Sequence, residues 1–149
     1  MKIREIMTDA PEVLTPHDDV SFAAQLMRSA DVGFLPVVKD KEHMKLVGVI
    51  TDRDIALRCI GEHRDGSTPV EQVMSASNLE CVRPEDDVHD AIGRMRHDRV
   101  RRIPVTDEHH HLVGVVSQAD VARRFGPREP IAVEKMLEGI SQPGQHSLG

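Results

Sequence analysis

Gly48-Val49-Ile50-Thr51-Asp52-Arg53-Asp54 returns later in the chain as Gly114-Val115-Val116-Ser117-Gln118-Ala119-Asp120. Both stretches read Gly-apolar-apolar-Thr/Ser-x-x-Asp, a short buried strand that enters a helix through a capping-box spacing. Upstream of the first, Pro16, Asp18, Asp19, Val20, Ala23, Met27, Arg28, Val32, Pro36 and Val37 lie in step with a second set about 68 residues on. That set is Pro84, Asp86, Asp87, Val88, Ala91, Met95, Arg96, Val100, Pro104 and Val105. A duplication this regular implies two copies of one supersecondary unit related by a pseudo-twofold axis. A cleft on such an axis presents each functional position twice.

Each copy reads the same way. Val20, Ala23, Ala24 and Met27 fall at helical spacing, as do Val88, Ala91, Ile92 and Met95. Asp18-Asp19 and Asp86-Asp87 precede them as N-caps and first-turn negative charge. Strands are predicted at Gly33 to Val38 and Arg101 to Thr106, then at Leu46 to Ile50 and Leu112 to Val116. Polar hairpin loops separate them, and second helices begin at Thr51 and Ser117. Short extended pieces, Val13-Leu14-Thr15 and Cys81-Val82-Arg83, lead each copy. A two-stranded hairpin with two helices is too small to hold itself together, so two copies packed sheet to sheet are expected to bury a shared core. The expected fold is α/β (α+β), two pseudo-symmetric repeats, each a short sheet packed with two helices. The repeats span 1–62 and 70–126, with a linker at 63–69 that includes most of the polar run Gly61 to Pro69. Residues 127–149 form a C-terminal helix (Ile131 to Ile140) and a disordered tail (Gln142 to Gly149).

The chain has 149 residues, 39% apolar and 30% charged, with a net charge of −6. That charge argues against general duplex binding, which relies on clustered Lys and Arg. It leaves room for a small anion in a local basic pocket. With no Trp or Tyr and three Phe, there is no stacking platform for single-stranded nucleic acid. Cys59 and Cys81 have no CxxC spacing, so a reducing cytoplasm is expected. No apolar run approaches a membrane span. His109-His110-His111 do not converge well on one ion, and a polar turn is the expectation, with no metal site. No nucleophile elbow, P-loop lysine or dinucleotide fingerprint is present, and no catalytic residue or enzymatic activity is expected.

Thr51-x-x-Asp54 and Ser117-x-x-Asp120 carry two readings. One is a plain helix cap. In the other, unpaired N–H groups and a hydroxyl meet an anion, while the carboxylate accepts hydrogen bonds from a vicinal diol. Phosphate and ribose hydroxyls lie at about that separation on a nucleotide, and each motif opens on a Gly that admits a close approach.

The whole repeat resembles the cystathionine-β-synthase (CBS) domain, which occurs as tandem pairs called Bateman modules. The match rests on Leu35-Pro36-Val37-Val38 with Leu46 to Ile55, and on Val100-Arg101-Arg102-Ile103-Pro104-Val105 with Leu112 to Val121. It covers roughly residues 1 to 125 and is similar to the small stand-alone bacterial pairs, including those of the hypoxia-response type. The resemblance implies a regulatory module that holds AMP, ADP, ATP or S-adenosylmethionine as ligand, with no required cofactor. It implies ribose-binding roles for Asp54 and Asp120, with Thr51 and Ser117 near ribose or phosphate. The backbone around Phe34, Leu35 and Pro36, and around Ile103 and Pro104, would line adenine. Thr15 and Arg83 would border the sites, although Arg83 departs from the Thr or Ser common there. Arg102, with Arg101, would clamp phosphate on the ligand of Asp54; the position matching Arg102 in the first copy is Phe34, so the Ser117/Asp120 cleft suits a less charged nucleoside or none. A homodimer and an unknown protein target are implied. Two alternatives remain: an interaction module that binds no ligand, and a metal- or nucleic-acid-binding protein using the Arg and His patches.

Overall fold

The computed structural model describes residues 1–141; the tail assigned to 142–149 lies outside them. The elements in chain order are β1 (Thr8–Asp9), α1 (Val20–Ala30), β2 (Phe34–Val38), β3 (Leu46–Thr51), α2 (Asp52–Asp54), α3 (Val88–Asp98), β4 (Arg102–Thr106), β5 (Leu112–Ser117), α4 (Gln118–Arg124) and α5 (Pro130–Ser141). Helix, strand, strand, helix thus recurs in both copies, and mixed helix and small sheet is the architecture. The helix α2 continues through a π turn (Ile55–Cys59) and a 3-10 turn (Ile60–Glu62), where the second copy has a regular α-helix.

The chain divides into two compact units, and these do not follow the repeats as read along the sequence. One comprises 12–79 and 110–112; the other comprises 1–11, 80–109 and 113 onward. The leading segment of each repeat packs with the other repeat's strands and helices.

In the unit built on the first repeat, β2 and β3 form an antiparallel hairpin with Phe34 opposite Thr51 and Leu35 opposite Ile50, bulged between Val37 and Val38. Leu14 adds a parallel bridge to Val37, and Ser75 an antiparallel bridge to Val49. Asp19 caps α1 by accepting from the Phe22 N–H at 2.8 Å. The core holds Leu14, Val20, Ala23, Met27, Leu35, Val37, Ile50 and Cys59, completed by Val70 and Val73. Ala24, expected on the inner face of α1, is exposed, because its position lies beside the stripe that Val20, Ala23 and Met27 define. The His110 turn belongs to this unit through the Lys45–His111 bridge and the Leu112 N–H donated to the Met44 carbonyl.

The other unit has a three-stranded sheet ordered β1-β5-β4, with Thr8 opposite Val115 and Asp9 opposite Gly114. Val82 adds a parallel bridge to Val105. Its core gathers Val82, Val88, Ala91, Ile92, Met95, Ile103, Val105, Val116, Val121 and Phe125, with Ile3 and Ile6 from the leading segment and Val133, Met136 and Ile140 from α5. Each unit thus holds a buried cluster of its own. Ile3 and Ile6, or Val70 and Val73, sit on single 3-10 turns that fill the gap each hairpin leaves. In α5, Ile131 and Leu137 face outward although their hydrophobicity suggested the inner face.

His89, in the first turn of α3, ties that helix to the approach of α5. Its Nδ1 lies 2.6 Å from Asp87 Oδ1 and its Nε2 2.6 Å from Glu129 Oε2, while its ring meets Phe125 edge-on at 5.1 Å. The hydrogen bond to Asp87, then that to Glu129, raises its pKa above the ordinary histidine value.

Two outcomes follow from this packing. Ile3 is fully buried and Ile131 is 66% exposed, so Ile3→Ala should lower stability by about 2–5 kcal/mol and Ile131→Ala by less than about 0.5 kcal/mol in urea unfolding. Because the folded pKa of His89 lies above the unfolded one, its contribution is complete below about pH 6.5 and fades as pH rises through the folded value. The unfolding midpoint of the wild-type chain should fall more steeply between about pH 6 and pH 8 than that of His89→Gln.

Candidate functional site

Each Gly-apolar-apolar-Thr/Ser-x-x-Asp motif folds into a strand end followed by a reciprocal capping box. Asp54 N–H donates to Thr51 Oγ1 at 3.1 Å, and Thr51 N–H donates to Asp54 Oδ2 at 3.0 Å. Ser117 and Asp120 repeat this at 3.1 and 2.9 Å. Both carboxylates are buried, at 9% and 7% exposure. The capping reading of the motif is thus realised, and it commits one oxygen of each Asp while leaving Oδ1 outside the box.

The motif glycines admit something other than a ligand. A Cβ on Gly48 would meet Met74 Sδ at 2.6 Å and the Ser75 carbonyl at 3.0 Å; one on Gly114 would meet the Thr8 carbonyl at 2.8 Å and Met7 Sδ at 2.9 Å. What approaches the strand is the chain's own leading segment. An arginine holds that segment in each unit. The Arg58 guanidinium approaches the Val73 and Met74 carbonyls at 3.5 and 3.4 Å, and the Arg124 guanidinium donates to the Glu5 carbonyl at 3.0 Å.

The first unit brings together Thr15, Phe34, Leu35, Pro36, Thr51 and Asp54. Phe34 is half-buried beside Thr51 in the hairpin. Leu35 is 1% exposed and belongs to the core, so only its backbone is open to a site role. The Pro36 carbonyl is already taken by the Leu14 N–H at 3.0 Å. Thr15 anchors a turn by donating its N–H to Asp18 Oδ2 at 2.8 Å.

The second unit holds Arg83, Arg101, Arg102, Ile103, Pro104, Ser117 and Asp120. Ile103 is fully buried in the core and, like Leu35, offers only backbone. The Pro104 carbonyl accepts from the Val82 N–H at 3.1 Å. Arg83 is exposed and repeats the Thr15 turn through its N–H to Asp86 Oδ2 at 2.9 Å, so the departure in side chain leaves the backbone role intact. Arg101, exposed, accepts the Gln118 N–H on its carbonyl at 2.8 Å, and Arg102, half-buried, opens β4.

Two residues that the sequence did not single out touch the motif carboxylates. Arg123 donates to Asp120 Oδ1 at 3.1 Å, while Arg58 Nε lies 3.8 Å from Asp54 Oδ1. Their i,i+3 and i,i+4 spacing from an Asp on a helix was the available signal. Among the described residues, no group of three or more His, Cys, Asp or Glu could hold a metal, Cys59 and Cys81 are free, and no helix is long and apolar enough to cross a membrane.

The architecture has solved counterparts. A hypoxic response protein I with two coordinated zinc ions aligns at a TM-score of 0.74 and 31% identity, covering 83% of this chain and 98% of its own. CBSX2 in complex with AMP aligns at 0.70 and 29%, covering 82% and 93%. The CBS domain pair of protein MJ0100, in complex with 5′-methylthioadenosine and S-adenosyl-L-methionine, aligns at 0.71 and 26%, covering 87% and 98%. The CBS domain family model matches residues 3–61 and again 70–126. Two matched repeats, carried by the duplicated strand and capping box described above, make this chain a member of the CBS domain family.

Proposed function

We propose that the chain is a regulatory module that binds adenosine-containing ligands and has no catalytic role. The observation that carries the reading is the buried capping-box carboxylate. Asp54 keeps one oxygen in the box and holds the other 3.8 Å from its nearest cation, placed to accept from a ribose diol. Support comes from the ligands of the related structures: AMP in one, and 5′-methylthioadenosine with S-adenosyl-L-methionine in another. These share adenine and ribose and differ at the 5′ substituent, so the common chemistry is the adenosine moiety. By the family resemblance, Arg102 and Arg101 are the clamps for a 5′-phosphate. A bound ligand then acts by linkage, favouring the conformation that a protein target reads. Free thiols suit a reducing cytoplasm.

A homodimer is part of this reading. In one unit α5 packs across α3 and α4. In the other, α1 and the turns after β3 leave Phe22, Leu57 and Ile60 at 42, 53 and 63% exposure. A second copy supplies the apolar surface that α5 supplies to the other repeat.

Calorimetric titration with AMP, ADP, ATP and S-adenosylmethionine should give micromolar binding to the wild-type chain and none at that site in Asp54→Ala. Silence from all four ligands with a folded chain favours an interaction module without ligand. Sedimentation equilibrium should return a dimer for the wild-type chain and a monomer for Leu57→Glu/Ile60→Glu; a monomeric wild-type chain removes the dimer from the reading.

A further inference from the structure

The two motif carboxylates differ in one contact. Asp54 and Asp120 hold the same capping box, and the arginine four residues on is the same in each, Arg58 and Arg124, both turned onto carbonyls of a leading segment. Three residues on, the repeats diverge: Leu57 in one, Arg123 in the other. The guanidinium of Arg123 donates to Asp120 Oδ1 at 3.1 Å, the oxygen that the box leaves outside; Asp54 Oδ1 has a cation no nearer than Arg58 Nε, at 3.8 Å. Leu57 can make no such bond.

We infer that Arg123 makes Asp120 the weaker of two graded ligand sites, by holding the carboxylate oxygen that a ribose diol would otherwise engage. The inference rests on the adenosine reading above. The gradation is modest rather than a closed site. The Arg123 side chain is 73% exposed and free to swing into water, and a pair of that kind changes an equilibrium by at most about fivefold. A chain with one open and one self-engaged carboxylate responds to ligand over a wider concentration range than one with two equal sites.

The test uses adenosine, which carries the diol but no phosphate for Arg123 to attract. It is titrated calorimetrically into Asp54→Ala, which isolates the Asp120 site, and into Asp54→Ala/Arg123→Leu, which gives the second repeat the residue of the first. Asp54→Ala/Arg123→Gln repeats the comparison without an added apolar group. Both double variants should bind about two- to fivefold tighter than Asp54→Ala. Equal or weaker binding by both, or no binding by any of the three, overturns the role of Arg123. In that event AMP separates the causes. If the wild-type chain binds AMP through Asp54, the sensor reading stands and this inference alone falls; if it does not, both fall.

Discussion

A two-stranded hairpin flanked by two helices cannot close its own core, and the rest of this structure answers that constraint. Neither β2-β3 nor β4-β5 shields its inner face fully with α1 and α2 or with α3 and α4. Ile3 and Ile6 fill the gap in one unit, and Val70 and Val73 fill it in the other. Once those residues sit there, Met7 and Thr8, or Met74 and Ser75, are drawn against the first residue of the motif, where a Cβ would meet the Thr8 carbonyl at 2.8 Å on Gly114 and the Ser75 carbonyl at 3.0 Å on Gly48. Arg58 and Arg124 then find carbonyls to hold. The glycine, the leading segment and the arginine form one packing solution, made twice.

The site grows from the same geometry. A Thr or Ser at the strand end must satisfy the first backbone N–H groups of the helix, and an Asp three residues on returns the bond. That cap fixes a carboxylate in a 7–9% exposed position with one oxygen already engaged. Capping and binding are therefore compatible uses of one group. The structural use sets the orientation, and the remaining oxygen is what a ligand or a neighbouring side chain can take.

Much of this was legible in the sequence, for physical reasons. Period-3.6 apolar spacing with an Asp cap marked α1 and α3, and the strand-to-helix motif marked β3, β5 and both capping boxes. The repeat spacing located Asp54 and Asp120 and, through the family resemblance, the remaining candidates. What was hidden depends on contacts distant in the chain. Ile3-Arg4-Glu5-Ile6-Met7 and Val70-Glu71-Gln72-Val73-Met74 share a pattern, but that pattern does not say which repeat each joins. Leu35 and Ile103 carry the same letters whether their side chains face a ligand or the core, and only the strand register settles it. Arg123 stands where the first repeat has Leu57, so the repeat pattern does not mark it; only its i,i+3 spacing from Asp120 does.

The exchange of leading segments also dictates an order of assembly on the ribosome. Residues 1–11 precede the first repeat, yet the groups they bond, such as the Pro84 and Asp86 carbonyls and β5, are made much later. The first repeat, by contrast, finds Val70 and Val73 soon after its own strands are complete. Its hairpin can therefore condense around a nearby segment, while Ile3 and Ile6 wait as an exposed apolar stub for the second repeat. Closing that longer loop adds little to the equilibrium cost but delays the contact. Docking of residues 1–11 therefore waits for β5 and follows the closure of the first repeat around Val70 and Val73.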